Sequence, residues 1–281
     1  MTFAVITDST ADLAPEVAAA HNIDVIPLVV TIGEDTFTDG ALPQAEFFAR
    51  MAAAPELPMT SQPPIGVFIN AYERALSTAD EVLSVHIAAK LSGTVEAARQ
   101  AAQQFAGRVH VFDSYNLSAG LGIQVLEAAA SAASGLSLSA TIERLEGIRN
   151  RMRLIIGLDS LANLSKGGRI GKVSAFLGSM LDLKVTMFVD TDLKGSFAPV
   201  ARSRGEKAAL RHTIDWVAEQ ATGAVKGKFA VGYATKRERA EWLADQLRER
   251  FEAVEMYIYE AGSVICTHTG TGWGVAFLPE E

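Results

Sequence analysis

Short apolar runs rich in β-branched residues alternate with helical patterns through the first half of the chain, and this alternation constrains the fold most strongly. The runs at residues 3–7, 82–88 and 109–113 predict buried strands. Helical periodicity fills the intervals, as at residues 64–76, where large apolar side chains recur on one face. Because parallel strands need crossover connections, the pattern predicts a parallel sheet covered by helices on both faces.

The second half of the chain has a different pattern. Two apolar runs, at residues 185–189 and 196–201, flank Asp192-Leu193-Lys194-Gly195 and predict a hairpin. Amphipathic helices are predicted at 206–220 and 237–251, and strands at 229–234, at 254–260 and after 274. We therefore expect an α/β protein with two domains. The N-terminal domain, residues 1–155, has the parallel sheet, and the C-terminal domain, residues 156–281, has a mixed sheet.

Charge and cysteine content argue against several classes of function. The formal net charge is -8 and no Lys/Arg-rich run occurs, which disfavours nucleic-acid binding. The single cysteine, Cys266, excludes a disulfide framework, and five scattered histidines argue against a histidine-rich metal site. We therefore expect neither a metal nor a cofactor. The chain opens on an apolar run without a charged leader, so we expect a cytoplasmic protein.

Hydroxyl-bearing residues follow several predicted strands of the first half. Thr60-Ser61-Gln62-Pro63 leads into a helix, and Ser92-Gly93-Thr94 lies between a strand and a helix. In open parallel sheets the carboxyl ends of the strands converge on a crevice, where helix N-termini favour anions. Each junction alone is also explained by helix capping. Together with Asp8-Ser9-Thr10 and Asp113-Ser114, they favour a site for an oxyanion ligand.

Basic residues and one histidine in the second half add to this hypothesis. Arg169 lies among three glycines in the segment 166–172, and arginine can bind a carboxylate bidentately. A solvated surface turn explains the same segment, and Arg202 gives a weaker signal. His268 is predicted to lie in a Gly/Thr loop after an apolar strand, where it has either a structural role or contact with a ligand.

The order of these motifs resembles that of the DegV family over nearly the whole chain. The motifs are Ile6-Thr7-Asp8-Ser9-Thr10-Ala11-Asp12-Leu13, Thr60-Ser61-Gln62-Pro63, Leu91-Ser92-Gly93-Thr94, Asp113-Ser114, Lys166-Gly167-Gly168-Arg169-Ile170, Arg202-Ser203-Arg204 and His268-Thr269-Gly270. The resemblance implies a non-catalytic carrier that binds one long-chain fatty acid and presents its carboxylate to a fatty-acid kinase, which forms the acyl phosphate. It also implies a set of residues around the carboxylate: Thr60, Ser61, Ser92, Gly93, Thr94, Arg169, Arg202 and His268.

The sequence departs from the family pattern at several positions. Ala88 and Ala89 stand where serines are frequent, Pro64 where a serine is usual, and Val185 where a proline is usual. The C-terminal glycine loop is shorter and contains Trp273. These differences lead us to expect a changed pocket shape rather than a changed fold.

Two further hypotheses follow from the same residues. The alternative to a carrier is a serine-dependent hydrolase or acyl transferase, with Ser9, Ser61 or Ser92 as nucleophile and His268 as base. The apolar spacing in residues 172–183 predicts either a buried helix or a lid that transiently touches an anionic membrane during ligand exchange.

Overall fold

The computed structural model describes residues 1–176, 183–221, 223 and 226–280. The strands of the described residues are, in chain order, β1 (Phe3–Asp8), β2 (Ile23–Ile26), β3 (Val29–Ile32), β4 (Asp35–Thr38), β5 (Met59–Ser61), β6 (Glu81–His86), β7 (Val109–Asp113), β8 (Arg153–Leu158), β9 (Leu183–Asp190), β10 (Ser196–Arg204), β11 (Lys226–Tyr233), β12 (Glu252–Glu260) and β13 (Gly272–Pro279). The α-helices are α1 (Pro15–Ala20), α2 (Gln44–Ala53), α3 (Ile65–Leu76), α4 (Thr94–Ala102), α5 (Ser118–Ala133), α6 (Leu138–Arg151), α7 (Ala162–Lys166), α8 (Glu206–Gln220), α9 (Arg237–Arg250) and α10 (Ser263–Thr269). Short 3-10 helices occur at Ser9–Ala11, Gln103–Phe105 and Gly171–Phe176.

The first sheet has four parallel strands in the order β2-β1-β6-β7. Its central strand β1 is an apolar run with almost every residue buried, as expected for a parallel sheet covered on both faces. Helices α3 and α4 pack together and against this sheet, and α5 contacts it as well. The parallel sheet predicted from the first half of the sequence is therefore confirmed.

A small antiparallel sheet with the order β4-β3-β5 was not predicted. Residues 23–32 form one apolar run in the sequence, and in the structure this run divides into β2, which pairs with β1, and β3, which pairs with β5. Pro27 lies at the break, and a proline cannot donate a hydrogen bond to a strand ladder. The pairing of β3 with β5 places Val30 opposite Thr60.

The second large sheet has six strands in the order β10-β9-β8-β13-β11-β12. Strands β11 and β12 are parallel, and the other neighbouring pairs are antiparallel. The predicted hairpin is formed by β9 and β10, whose connection contains Lys194 and Gly195 with φ angles of 56° and 87°. The mixed sheet and the α/β fold class are thus confirmed, whereas the limits 1–155 and 156–281 stay a prediction.

Helix α5 lies between the two large sheets. It contacts β1 and β6 of the first sheet and β8, β11 and β13 of the second. Most of its residues are buried, which matches a helix that is apolar on nearly all sides. One continuous hydrophobic core therefore joins the two sheets across this helix.

The predicted loop that contains His268 is wrong, because residues Ser263–Thr269 form α10. The lid hypothesis for 172–183 depends on the apolar residues Phe176, Leu177, Met180 and Leu181. Residues 177–182 lie outside the described residues, so the hypothesis stays a prediction.

Candidate ligand-binding site

A cavity of about 310 Å³ lies where the carboxyl end of β6 approaches α10 and β10. One part of its lining is polar and is formed by Thr60, Ser61, Gln62, Ser92, Arg169 and His268. The remaining lining is mainly aliphatic and aromatic and includes Leu28, Ile87, Leu117, Leu164, Phe197 and Ile265. The cavity therefore has separate polar and apolar regions, and residues from both halves of the chain form it.

The polar region is assembled from four separate segments. Strand β5 contributes Thr60 and Ser61, and the turn before α4 contributes Ser92 and Gly93. Arg169 follows α7, and His268 lies on α10. Six of the eight residues proposed from the sequence thus line this cavity, although their contact with a ligand stays a prediction.

Helix α10, which carries His268, is held in place by contacts far away in sequence. The Asp12 carboxylate accepts a hydrogen bond from the Gly262 N–H at 3.0 Å, and the Asp39 carboxylate accepts one from the Val264 N–H at 3.2 Å. Both carboxyl groups therefore accept hydrogen bonds from N–H groups at the start of the helix that have no partner within it. These contacts explain why a segment rich in β-branched residues is helical rather than a loop.

His268 combines one partnered and one unpartnered ring nitrogen. Its Nε2 lies 2.8 Å from the Thr60 hydroxyl. Its Nδ1 is buried and has no hydrogen-bond partner within the described part of the chain. Burial lowers the pKa of the imidazole to about 4, and the positive charge of Arg169 adds to this shift. The ring is therefore neutral at neutral pH and leaves one nitrogen available to a ligand.

The glycine next to this ring has a steric role. A Cβ atom at Gly167 would lie 2.5 Å from His268 Nδ1 and 3.1 Å from the Asn163 carbonyl oxygen. Asn163 also donates from Nδ2 to the Thr267 carbonyl at 3.0 Å, which ties α7 to α10. The absence of a side chain at residue 167 thus allows α7 to approach the imidazole closely.

Arg169 supplies positive charge at the same end of the cavity. Its Nε donates to the Leu91 carbonyl at 3.2 Å, and its Nη1 donates to the Gly167 carbonyl at 2.6 Å. These bonds fix the guanidinium between the turn before α4 and the glycine-rich segment. A fixed guanidinium is well suited to bind a carboxylate.

Of the three residues Ser92, Gly93 and Thr94 in the turn before α4, only Ser92 and Gly93 line the cavity. Ser92 Oγ lies 2.8 Å from Thr94 Oγ1 and accepts a hydrogen bond from the Thr94 N–H at 3.3 Å. Thr94 is completely buried at the start of α4 and is not a lining residue, in contrast to Ser92. A Cβ atom at Gly93 would lie 1.9 Å from Gln62 Oε1, so the glycine permits close contact with the segment after β5.

Arg202 is the second proposed residue that does not line the cavity. It lies on β10, opposite Val185 of β9, and it is exposed. The Arg202-Ser203-Arg204 motif therefore does not contribute Arg202 to the lining of this cavity. Conversely, the sequence did not single out Phe197 and Leu164, whose apolar character is common to many core residues.

The departures from the family pattern have separate structural consequences. The Trp273 ring packs over Gly157, and its Nε1 donates to Thr213 Oγ1 at 3.0 Å, on the α8 side of the six-stranded sheet. Trp273 is not a lining residue of the 310 Å³ cavity. Ala88 is buried against the hairpin, where a Cβ atom at Gly195 would lie 2.5 Å from the Ala88 Cβ.

The geometry around His268 does not form a catalytic triad. Its Nε2 is bonded to a threonine, and no described residue gives its Nδ1 the orienting partner that the base of a triad has. A triad-like series does occur elsewhere, with Asp8 Oδ2 2.9 Å from His86 Nδ1 and His86 Nε2 2.6 Å from Ser84 Oγ. All three side chains are completely buried, so this series joins β1 to β6 and offers no access to a substrate.

Within the described residues, no cluster of three or more His, Cys, Asp or Glu side chains has a geometry suited to a metal ion. Among the helices that these residues form, none combines the length and apolar composition needed to cross a bilayer.

The fold and the cavity define an α/β protein with two large sheets and an internal site that has distinct polar and apolar regions. The chain belongs to the DegV family, since the sequence model described as "Uncharacterised protein, DegV family" matches residues 2–280. A DegV domain-containing protein of Deinococcus radiodurans is 37% identical over 283 residues and 99% of each chain. The family resemblance of the sequence motifs is thus confirmed.

Solved structures agree with this assignment. A DegV family protein from Thermus thermophilus, whose fatty-acid binding is described, matches with a TM-score of 0.95 and 33% identity over 100% of both chains. DegV from Bacillus subtilis, described as a fatty acid binding protein, matches with a TM-score of 0.88 and 32% identity over 100% of both chains.

Proposed function

We propose that this protein binds a single long-chain fatty acid in the 310 Å³ cavity and presents its carboxylate to a fatty-acid kinase. The observation that carries the proposal is the polarity of the cavity. Among the residues of the polar region, Ser61 and Gln62 are exposed, whereas Leu117, Leu164 and Ile265 of the apolar region are buried. An amphipathic ligand would thus place its head near solvent and its chain in the core.

The size of the hydrophobic contribution is consistent with a long acyl chain. An acid with about fourteen buried methylenes would gain roughly 11 kcal/mol at about 0.8 kcal/mol for each methylene. Loss of translational and rotational freedom costs on the order of 4–15 kcal/mol, so a short acid would bind weakly. A chain of this order of length therefore gains enough hydrophobic free energy to offset the cost of association.

The head group needs hydrogen bonds and positive charge, because a buried carboxylate without them would be protonated. Arg169 supplies the charge, and the hydroxyls of Ser61 and Ser92 supply donors. His268 Nδ1, which has no partner within the described residues, supplies a further donor when the tautomer places a proton there. We therefore assign the carboxylate to the space between these four side chains.

The kinase partner is part of the proposal because the family resemblance implies it. A kinase must reach the carboxylate, and the exposed residues Ser61, Gln62 and Gly93 place the polar region at the surface. A cytoplasmic location would bring the carrier together with a soluble nucleotide-dependent enzyme. The carrier itself needs neither a nucleophile nor a metal for this role.

The first experiment identifies the ligand. Purified protein is denatured, the released lipid is extracted, and its mass and amount are determined by mass spectrometry. We expect one fatty acid for each protein molecule. Protein that carries no lipid and binds no added fatty acid would refute the proposal.

The second experiment separates binding from catalysis. Fatty-acid affinity and ester hydrolysis are measured for the wild type, Ser92→Ala and His268→Ala. For a carrier, Ser92→Ala should weaken binding by about 1–3 kcal/mol, the range for a lost hydrogen bond to a charged group. Acyl-phosphate formation by the kinase should fall in parallel. Hydrolysis by the wild type that both substitutions abolish, with affinity unchanged, would favour the hydrolase instead.

A further inference from the structure

The cavity reaches solvent between two segments of the chain. Among the described residues that line it, Ser61, Gln62 and Gly93 are exposed, whereas the others are buried or half-buried. Ser61 and Gln62 are consecutive residues at the end of β5, and Gly93 belongs to the turn before α4. We call the space between these three residues the polar opening of the cavity.

The Gln62 side chain lies across this opening. A Cβ atom at Gly93 would lie 1.9 Å from Gln62 Oε1, 2.8 Å from its Cδ and 3.2 Å from its Nε2. All the heavy atoms of the carboxamide group therefore rest against the face of the glycine that carries no side chain. The glutamine thus bridges the two segments that border the polar opening.

This bridge is held by weak contacts. No hydrogen bond joins the Gln62 side chain to another residue that the structure describes. The carboxamide is therefore held against Gly93 by dispersion, which is weak for each pair of atoms. An exposed side chain with such contacts can change its rotamer rapidly.

The backbone on both sides of the opening is fixed, in contrast to this side chain. Strand β5 is paired with β3, and Pro63 restricts the backbone of Gln62 to an extended conformation. On the other side, the Leu91 N–H donates to the Ala88 carbonyl at 2.9 Å, and the Leu91 carbonyl accepts from Arg169 Nε at 3.2 Å. The Gln62 side chain is thus the part of this border that can move while the backbone stays in place.

We propose that the Gln62 side chain is a gate over the polar opening, which must move away from Gly93 before a fatty acid can enter or leave. This inference rests on the proposed fatty-acid binding and assigns the rate of exchange to a residue outside the side chains that are proposed to bind the carboxylate. A side chain that does not contact the acid has the same equilibrium between open and closed positions in the free and the bound protein. The gate therefore changes the association and dissociation rate constants by the same factor and leaves the dissociation constant unchanged.

The test measures both rate constants by stopped-flow fluorescence. It uses the full chain, stripped of lipid, and parinaric acid, a naturally fluorescent fatty acid. Association is followed after mixing, and dissociation is followed after the addition of excess oleic acid. Gln62→Ala removes the carboxamide, so both rate constants should rise by the same factor, on the order of three- to tenfold, because only weak contacts hold the gate closed. The dissociation constant should not change.

Gly93→Ala tests the same contact from the other side of the opening. The φ angle of Gly93 is -73°, which alanine adopts readily, so the added Cβ should act mainly by displacing the Gln62 carboxamide. Both rate constants should again rise together. In the Gln62→Ala protein, Gly93→Ala should have no further effect on either rate constant, because the two substitutions remove the same contact.

Two control variants separate a gate from other roles. Gln62→Met keeps a side chain of similar length without the carboxamide, so a gate that acts by covering the opening should retain rate constants close to those of the wild type. Gly66 lies in the first turn of α3, does not line the cavity, and has no atom within 4 Å of an added Cβ. Gly66→Ala should therefore leave both rate constants unchanged.

The possible results distinguish the gate from direct contact with the ligand. A higher dissociation constant in both Gln62→Ala and Gln62→Met, with an unchanged association rate constant, would assign Gln62 a hydrogen bond to the carboxylate and refute the gate. Unchanged rate constants in Gln62→Ala and Gly93→Ala, with thermal unfolding showing that both are folded, would refute it as well. If the wild type binds no fatty acid, the proposed function itself fails, so the two failures are distinguishable.

Discussion

Substitution of Gly167 by alanine should test how closely α7 holds the imidazole of His268. The φ angle at Gly167 is -70°, so alanine fits the backbone there and would by itself stabilise the fold by about 0.4–1 kcal/mol. Its Cβ would lie 2.5 Å from His268 Nδ1, however, and the ring would have to move. That movement breaks the 2.8 Å contact with Thr60 and leaves a part-buried polar pair unsatisfied. We expect a net loss of about 1 kcal/mol or more in the free energy of unfolding.

Urea unfolding and fatty-acid titration of Gly167→Ala provide the two measurements. Gly147→Ala is the matched control, because its Cβ would have no neighbour within 4 Å and it lies inside α6. The control should be stabilised by roughly 0.5–1 kcal/mol, since alanine is the better helix former. If Gly167→Ala were as stable as this control and bound fatty acid with unchanged affinity, the proposed contact between Gly167 and His268 would be refuted.

Three further substitutions test the buried polar groups by urea unfolding. The pKa of His268 is about 4 in the folded protein and 6.5 as the ordinary value, so the unfolded chain binds more protons between these pH values. The free energy of unfolding of the wild type should therefore fall by at most about 3 kcal/mol as the pH is lowered from 6.5 to 4. The substitution His268→Gln should remove this pH-dependent loss. Burial raises the pKa of Asp12 to about 8, so the folded state retains a proton there and loses stability as the pH rises towards and through 8. Asp12→Asn keeps an acceptor for the Gly262 N–H and presents an NH₂ to Ser118 Oγ, whose hydroxyl can turn to Tyr259, and the variant should gain stability relative to the wild type between pH 6 and 9. Asp8→Asn should destabilise the protein by about 2 kcal/mol or more, because the two carboxylate oxygens of Asp8 accept from the Thr10 and Ile87 N–H groups and the amide NH₂ of asparagine would face one of these donors.

The parallel sheet could be predicted because its strands have a recognisable local sequence pattern. Strand β1 is buried along its length, and such strands appear in a sequence as short continuous apolar runs. The amphipathic helices α8 and α9 were equally visible from their periodicity. These elements depend on local sequence patterns and on burial that is nearly uniform along each element.

The small sheet of β3, β4 and β5 could not be predicted in the same way. Strand β5 has only three residues, Met59–Ser61, and its partner β3 is about thirty positions earlier in the chain. The burial of β3 alternates along the strand, but three of its four residues are apolar, so the sequence does not show this alternation. Thr60 was nevertheless identified, because the motif that contains it could be compared with a family.

Helix α10 shows the limit of local patterns most clearly. Val264, Ile265 and Thr267 are β-branched, so the segment favours an extended conformation over a seven-residue helix. The helix forms because Asp12 and Asp39, more than 220 positions away, accept hydrogen bonds from its first turn. No window of sequence around His268 contains this information.

The same contacts explain why the polar end of the cavity depends on much of the chain. Asp12 and Asp39 position the start of α10, while Asn163 binds the carbonyl of Thr267 near its end. These three side chains do not line the 310 Å³ cavity, yet each fixes the helix that carries His268. The proposed recognition of the head group therefore depends on residues outside the lining of the cavity. A substitution that shifts α10 as a unit should lower the affinity for fatty acid although every lining residue is retained.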